Sequence, residues 1–176
     1  MSDTAIGASV KRKEDFRFLT GQGRYTDDIN RPGQLHAYFV RSPHAHATIK
    51  GIDKAEAENS PGVRAVFTGA DMAADNVGSL PCGWVVTDRH GEAHKAPPHF
   101  PLARDKARYV GDHFAVVIAE TYAQAKEAGE LVQVDYAELP AAAVLGTALN
   151  GGAPQLHDEA PGNLCYDWVL GDEAEA

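Results

Sequence analysis

Cysteine is scarce in this sequence. Cys82 and Cys165 are the only two in 176 residues, too few for a disulfide framework. That usage points to a reducing compartment, and a cytoplasmic location is the expectation. Long apolar runs are missing as well. No stretch approaches the ~18 residues of a membrane-spanning helix, and the polar start Met1–Asp15 has no signal-peptide apolar region. Basic residues are missing from one end: Lys126 is the last lysine or arginine. Residues 1–126 hold 15 acids and 16 bases, whereas residues 127–176 hold ten acids and no base. Nucleic acid is a poor partner for such a chain, because phosphate binding needs clustered Lys and Arg. The acidic last fifty residues read as a solvated surface or as a part that meets a basic partner.

Familiar catalytic signatures are absent too: no P-loop, no G-x-S-x-G, no paired C-x-x-C. Gly21-Gln22-Gly23 lacks the preceding strand, the third glycine and the following helix of a dinucleotide cradle, so it reads as a turn. His44 and His46 could hold a metal from one side of a strand, but nothing nearby in sequence completes the set. His90, His94 and His99 form the densest histidine cluster, with ligand spacing for a helix. The Gly and Pro residues around them argue against a helix. Cys82 and Cys165 have no neighbouring base that would lower a thiol pKa. Asp27-Asp28 would point to opposite faces of a strand, so the pair reads as a turn with a cap. The residues alone assign no catalytic, cofactor-binding or metal-ligating position.

What is present is an α+β pattern. Two segments of 24 residues share one plan, strand–helix–strand. In the first, Ala45–Thr68, a strand over His46–Ile52 leads to Asp53, which with Glu56 resembles a capping box; Pro61-Gly62 stops the helix and Val63–Thr68 is the next strand. In the second, His113–Tyr136, the apolar run Phe114–Ala119 suits a strand covered on both faces. Thr121 and Gln124 form a second capping box, a helix runs to Leu131, and Val132, Val134 and Tyr136 alternate. Connections of about a dozen residues suffice for a right-handed parallel crossover, so a mixed sheet is expected. Gln34–Val40 is a further strand. Residues 76–105 read as an irregular proline-rich arm, with a hairpin turning at Asp88–Gly91, and as the candidate contact with neighbouring parts of a larger protein. A short Ala-rich helix is expected after Leu139-Pro140, and the tail Gly171–Ala176 is expected to be mobile.

Taken together the motifs resemble a family. Ile6-Gly7-x-Ser9-Val10-x-Arg12 leads into Glu14-Asp15-x-Arg17-Phe18-Leu19-Thr20-Gly21-x-Gly23-x-Tyr25-x-Asp27-Asp28-Ile29. Pro32-Gly33-x-Leu35, Val40-Arg41-Ser42-Pro43-His44-Ala45-His46-Ala47 and Pro61-Gly62-Val63 follow, then Arg108-Tyr109-Val110-Gly111 and Val134-Asp135-Tyr136-x-Glu138-Leu139-Pro140. This order is similar to the start of the molybdenum-binding large subunit of the xanthine dehydrogenase and aldehyde oxidase family, in particular its carbon monoxide dehydrogenase-like bacterial branch. Asp112 stands where a glutamate is common, and Ala141-Ala142-Ala143 replaces a more Val-rich stretch.

The resemblance implies an α/β hammerhead domain over residues 31–150, preceded by a lead-in segment (1–30) and followed by an acidic linker (151–176). In the family the molybdenum–pterin contacts and the glutamate base lie in a longer portion that comes after, so no catalytic residue carries over to this chain. The implied complete enzyme oxidises carbon monoxide, an aldehyde or an N-heterocycle at the molybdenum–pterin cofactor, and electrons leave through iron–sulfur clusters to FAD on partner subunits. The expected role of this chain is a scaffold and docking surface, inert alone. A stand-alone binding or assembly module is the alternative, and a small independent enzyme is disfavoured by the lack of motifs.

Overall fold

The computed structural model describes Gly7 and residues 9–171, so the expectation for the tail lies, past Gly171, outside the described residues. The chain divides into two units, residues 1–34 and 35–176. The first holds a short helix, α1 (Asp15–Leu19), and a 3-10 turn over Thr26–Asp28. Asp28 caps that turn by accepting from the Tyr25 amide at 2.9 Å, as the Asp27-Asp28 pair suggested. The Gly21-Gln22-Gly23 turn has Gly21 at φ 71°, and the Gln22 amide closes onto the Arg17 carbonyl. A side chain at Gly23 would strike the Phe18 ring, which stacks on Tyr25 at 5.8 Å.

Among the described residues the second unit carries six strands: β1 (His36–Arg41), β2 (Ala47–Asp53), β3 (Val63–Thr68), β4 (Lys106–Ala107), β5 (His113–Ala119) and β6 (Gln133–Glu138). They form two three-stranded sheets, ordered β1-β5-β3 and β4-β2-β6, and every pairing is antiparallel. This corrects the expected mixed sheet and parallel crossover. The two strand–helix–strand units exist, but each steps from one sheet to the other: β2 to β3 in the first, β5 to β6 in the second. A linker of a dozen residues is long enough for either path, and the strand pairings are decided between segments far apart in sequence.

The helices of this unit pack on the β1-β5-β3 sheet. α4 (Tyr122–Glu130) starts on the expected capping box: the Gln124 amide donates to the Thr121 hydroxyl, and the Thr121 amide donates to the Gln124 side chain at 3.0 Å. Its buried face, Ala125, Ala128 and Gly129, belongs with Ala57 of α2 (Ala55–Glu58) to the core side of the β1-β5-β3 sheet. Gly129 is required there, since a Cβ would run into the Tyr38 ring. The expected Asp53–Glu56 box is not formed. Asp53 instead accepts from the Ala55 amide at 3.0 Å, two residues on, so the helix begins a residue later and spans four residues. Gly62 takes the left-handed conformation at φ 80° that the Pro61-Gly62 stop demands. Its carbonyl accepts from the Glu120 amide, which fastens this turn to the start of α4.

Two elements depart from expectation. Ala141–Ala143 form no helix, and a 3-10 turn over Leu145–Thr147 comes next instead, because three alanines without a cap or a packed face cannot nucleate a helix. An unforeseen helix, α3 (Gly69–Ala74), follows β3 directly, capped by Thr68 and Asp71. Gly69 is buried where a side chain would collide with the Ala103 carbonyl. The arm at residues 76–105 is irregular as expected. Its hairpin is reduced to a Thr87–Ala93 bridge, with the Asp88 carboxylate accepting from the His90 and Glu92 amides.

Candidate functional site

The histidines and cysteines singled out in the sequence do not converge on one centre. His44 sits edge-on to Tyr136 at 4.7 Å, with its Nδ1 3.6 Å from Glu138, so the structure supplies a carboxylate that sequence proximity did not. His46 is buried, and its Nδ1–H donates to the Pro140 carbonyl at 2.7 Å, which turns it away from His44's partners. His90 lies at the hairpin tip, while His94 accepts on Nδ1 from the Val86 amide at 2.9 Å. Among the described residues no group of three His, Cys, Asp or Glu side chains is placed to hold a metal ion.

A cleft of about 580 Å³ opens along the arm. Leu80, Pro81, Pro97 and Tyr166 give it apolar walls, and Cys82, His94, His99 and Cys165 line it as well. Both cysteines are free; the Cys82 thiol donates to the Trp84 carbonyl at 3.1 Å. Leu80 bridges to His99, and the Lys95 amide donates to the Cys165 carbonyl at 2.9 Å. Thus the segment after residue 160 packs on an arm some 70 residues earlier. No sequence signal joined them, apart from the concentration of apolar residues in Leu164–Leu170.

Titratable groups elsewhere serve the framework. Burial pushes the Tyr136 phenol up to about 12, and its hydroxyl has no partner among the described residues. Burial lowers His113, helped by the Arg41 charge, and burial with Arg108 lowers His157. Lys54 joins α2 to β3 and α3, donating to the Val66 carbonyl and to Asp71, each at 2.9 Å. Burial pushes the Asp71 carboxyl up, but hydrogen bonds from Lys54 and Thr68 outweigh it and hold it below its usual range. A depressed carboxylate stabilises the fold above the unfolded pKa, and that contribution vanishes as pH falls through the folded value. Asp71→Asn should therefore cost about 1 kcal/mol at neutral pH, modest because the pair is partly exposed. In urea titrations the gap from wild type should close below about pH 4. A gap that persists at pH 2 would assign the effect to packing instead of charge.

A sequence profile for the aldehyde oxidase and xanthine dehydrogenase α/β hammerhead domain matches residues 20–140. The chain belongs to this family. Its two antiparallel sheets are the hammerhead fold of molybdenum hydroxylase large subunits. It is 41% identical over 159 residues to the nicotine 6-hydroxylase large subunit of Paenarthrobacter nicotinovorans, which covers 90% of this chain and 19% of that protein. It is 36% identical over 180 residues to the carbon monoxide dehydrogenase large chain of Afipia carboxidovorans, covering 96% of this chain and 21% of the relative. Among solved structures, quinoline 2-oxidoreductase from Pseudomonas putida 86 superposes with a TM-score of 0.72 at 43% identity, over 85% of this chain and 18% of that one. The chain thus spans about a fifth of the length of these relatives. The carbon monoxide dehydrogenase-like resemblance read from the motifs holds, and no helix among the described residues is long and apolar enough to cross a membrane.

Proposed function

We propose that this chain acts as the amino-terminal scaffold and docking domain of a molybdenum hydroxylase large subunit and is catalytically inert by itself. The observation that carries the reading is the coverage: the relatives match nearly the whole of this chain while four-fifths of their own length lies elsewhere. In this reading residues 1–30 are a lead-in, 31–150 the hammerhead and 151–176 a linker. The complete enzyme would oxidise carbon monoxide, an aldehyde or an N-heterocycle in the cytoplasm, with iron–sulfur and flavin subunits as partners.

The residues described do not fit a molybdenum–pterin group. Such an anionic cofactor needs several amides converging on its phosphate, commonly at a helix start. The Gly21-Gln22-Gly23 turn offers none of this: a Cβ at Gly21 would meet open space, and Gly23 is spoken for by the Phe18 ring. No carboxylate faces the cleft beside the arm. The purified chain should therefore contain no stoichiometric molybdenum, copper or iron, and should not reduce a dye with carbon monoxide, aldehydes or purines as donors. One molybdenum per chain by metal analysis, or dye reduction that tracks the protein, would falsify the inert-scaffold reading.

A further inference from the structure

We infer that the layer formed by the arm and the segment Leu164–Leu170 is the face that docks onto the rest of a large subunit, and that the cleft beside it receives an apolar side chain of that partner. The inference rests on the large-subunit reading and adds the surface to it. Both tryptophans of the chain lie in this layer, Trp84 72% and Trp168 50% exposed, flanked by Val85, Tyr166, Val169 and Leu170. Large aromatic side chains are seldom left in water without use, and Trp and Tyr dominate the energetics of protein interfaces.

The layer is also built firmly enough to present them. The Arg89 amide donates to the Asp167 carbonyl at 2.9 Å, and the Arg89 guanidinium pairs with the Asp167 carboxylate at 2.9 Å. The Lys95–Cys165 backbone bond and the His94 ring edge-on to Tyr166 fix the other end. The hairpin's Asp88 is occupied by backbone amides and Arg89 by Asp167, and the Lys95 ammonium at the cleft reaches the Leu164 carbonyl at 3.5 Å. A largely aromatic face with a mostly apolar socket and the Lys95 ammonium at its edge suits a folded apolar partner surface. It suits neither nucleic acid nor a basic protein. The partner's length is supplied by the four-fifths of the relatives that lies outside the match.

The rival face on this unit is the far side of the β1-β5-β3 sheet, where Phe39 and Phe67 flank Val116 in register. Those rings are 41% and 38% exposed, and Arg41 and the Arg64–Glu120 pair lie beside them.

Hydroxyl-radical footprinting can separate the two. The probes are the 176-residue chain alone and a large subunit of the nicotine 6-hydroxylase in which this chain replaces the matched stretch. Trp84 and Trp168 should be labelled in the free chain and protected about fivefold or more in the chimera, as befits an interface core, while Phe39 and Phe67 stay labelled. Protection of Phe39 and Phe67 with labelled tryptophans overturns the inference and leaves the large-subunit reading standing. Protection that appears only when iron–sulfur or flavin subunits are added, or in a dimer of the free chain, overturns it by naming another occupant. A chimera that never becomes soluble fails the large-subunit reading, and the inference falls with it. As a second measurement, a hydrophobic dye should bind the free chain, and the double variant Trp84→Ser/Trp168→Ser should lose most of that signal where Phe39→Ser/Phe67→Ser keeps it. Equal signal in all three overturns the inference independently of the chimera.

Discussion

Val117→Asp is expected to abolish soluble expression. Val117 is fully buried on β5, the central strand of its sheet, opposite Tyr38 on one side and Val66 on the other. It belongs to the same buried cluster as Ala115, Ala125 and Ala128, all apolar. A carboxylate there has no donor and no cation within the cluster. Burying it unpaired, or protonating it to avoid that cost, takes several kcal/mol from a total stability of roughly 5–15 kcal/mol. The isosteric Val117→Thr buries only a hydroxyl, at about 1–3 kcal/mol, and should be soluble with a lowered urea midpoint. A soluble Val117→Asp with an unchanged melting curve would remove β5 from the centre of the core.

The parts of this fold that were legible in the sequence are those fixed by neighbours along the chain. β3 runs over Val63–Thr68 as its alternation indicates, and α4 begins at the Thr121–Gln124 box because the box is a contact between residues three apart. Gly62 had to follow Pro61 for the same local reason. What the sequence did not show is which strand lies beside which. β1 pairs with β5 across some 75 residues, and nothing in His36–Arg41 names that partner. A parallel crossover was a fair reading of linker length, yet length is equally compatible with a step between two sheets. α3 escaped notice because its start, Thr68-Gly69, looks like the end of a strand, and it is closed by Asp71 reaching back to Thr68. The candidate surface was legible in half, and its other half was hidden for the same reason as the sheets. The arm carrying Trp84 reads from the sequence as a candidate contact, but nothing there joins it to the segment of Trp168, and the bonds between Arg89 and Asp167 bring the two together. The family motifs carried more, since several short patterns in fixed order identify a common ancestor where no one pattern identifies a contact.

Phe114→Ala is the second substitution with a large expected effect, and its logic depends on a register slip that alternation alone would miss. Along β5, Val116 lies on the far face of the sheet between Phe39 and Phe67, so strict alternation would put Phe114 there too. The pairing prevents it. Arg41 pairs with His113 and Val40 with Ala115, which leaves Phe114 as the extra residue of a bulge. The bulge turns His113 to the far face, where its ring lies 4.9 Å from Phe39, and swings Phe114 inward. There it is 2% exposed and meets the Tyr136 ring edge-on at 5.9 Å. Tyr136 is on β6, in the other sheet, so this aromatic contact ties the two sheets together. Truncating a buried phenylalanine costs about 3–5 kcal/mol, and little around this site can collapse to refill the space, because Ala103, Ala115 and the two sheets frame it. Urea unfolding should show the midpoint falling by that free energy divided by the slope, with the slope unchanged. Phe114→Leu should recover most of it, since the volume is largely kept. A loss under about 1 kcal/mol for the alanine variant would mean that Phe114 faces the outer side of the sheet and that the bulge does not form.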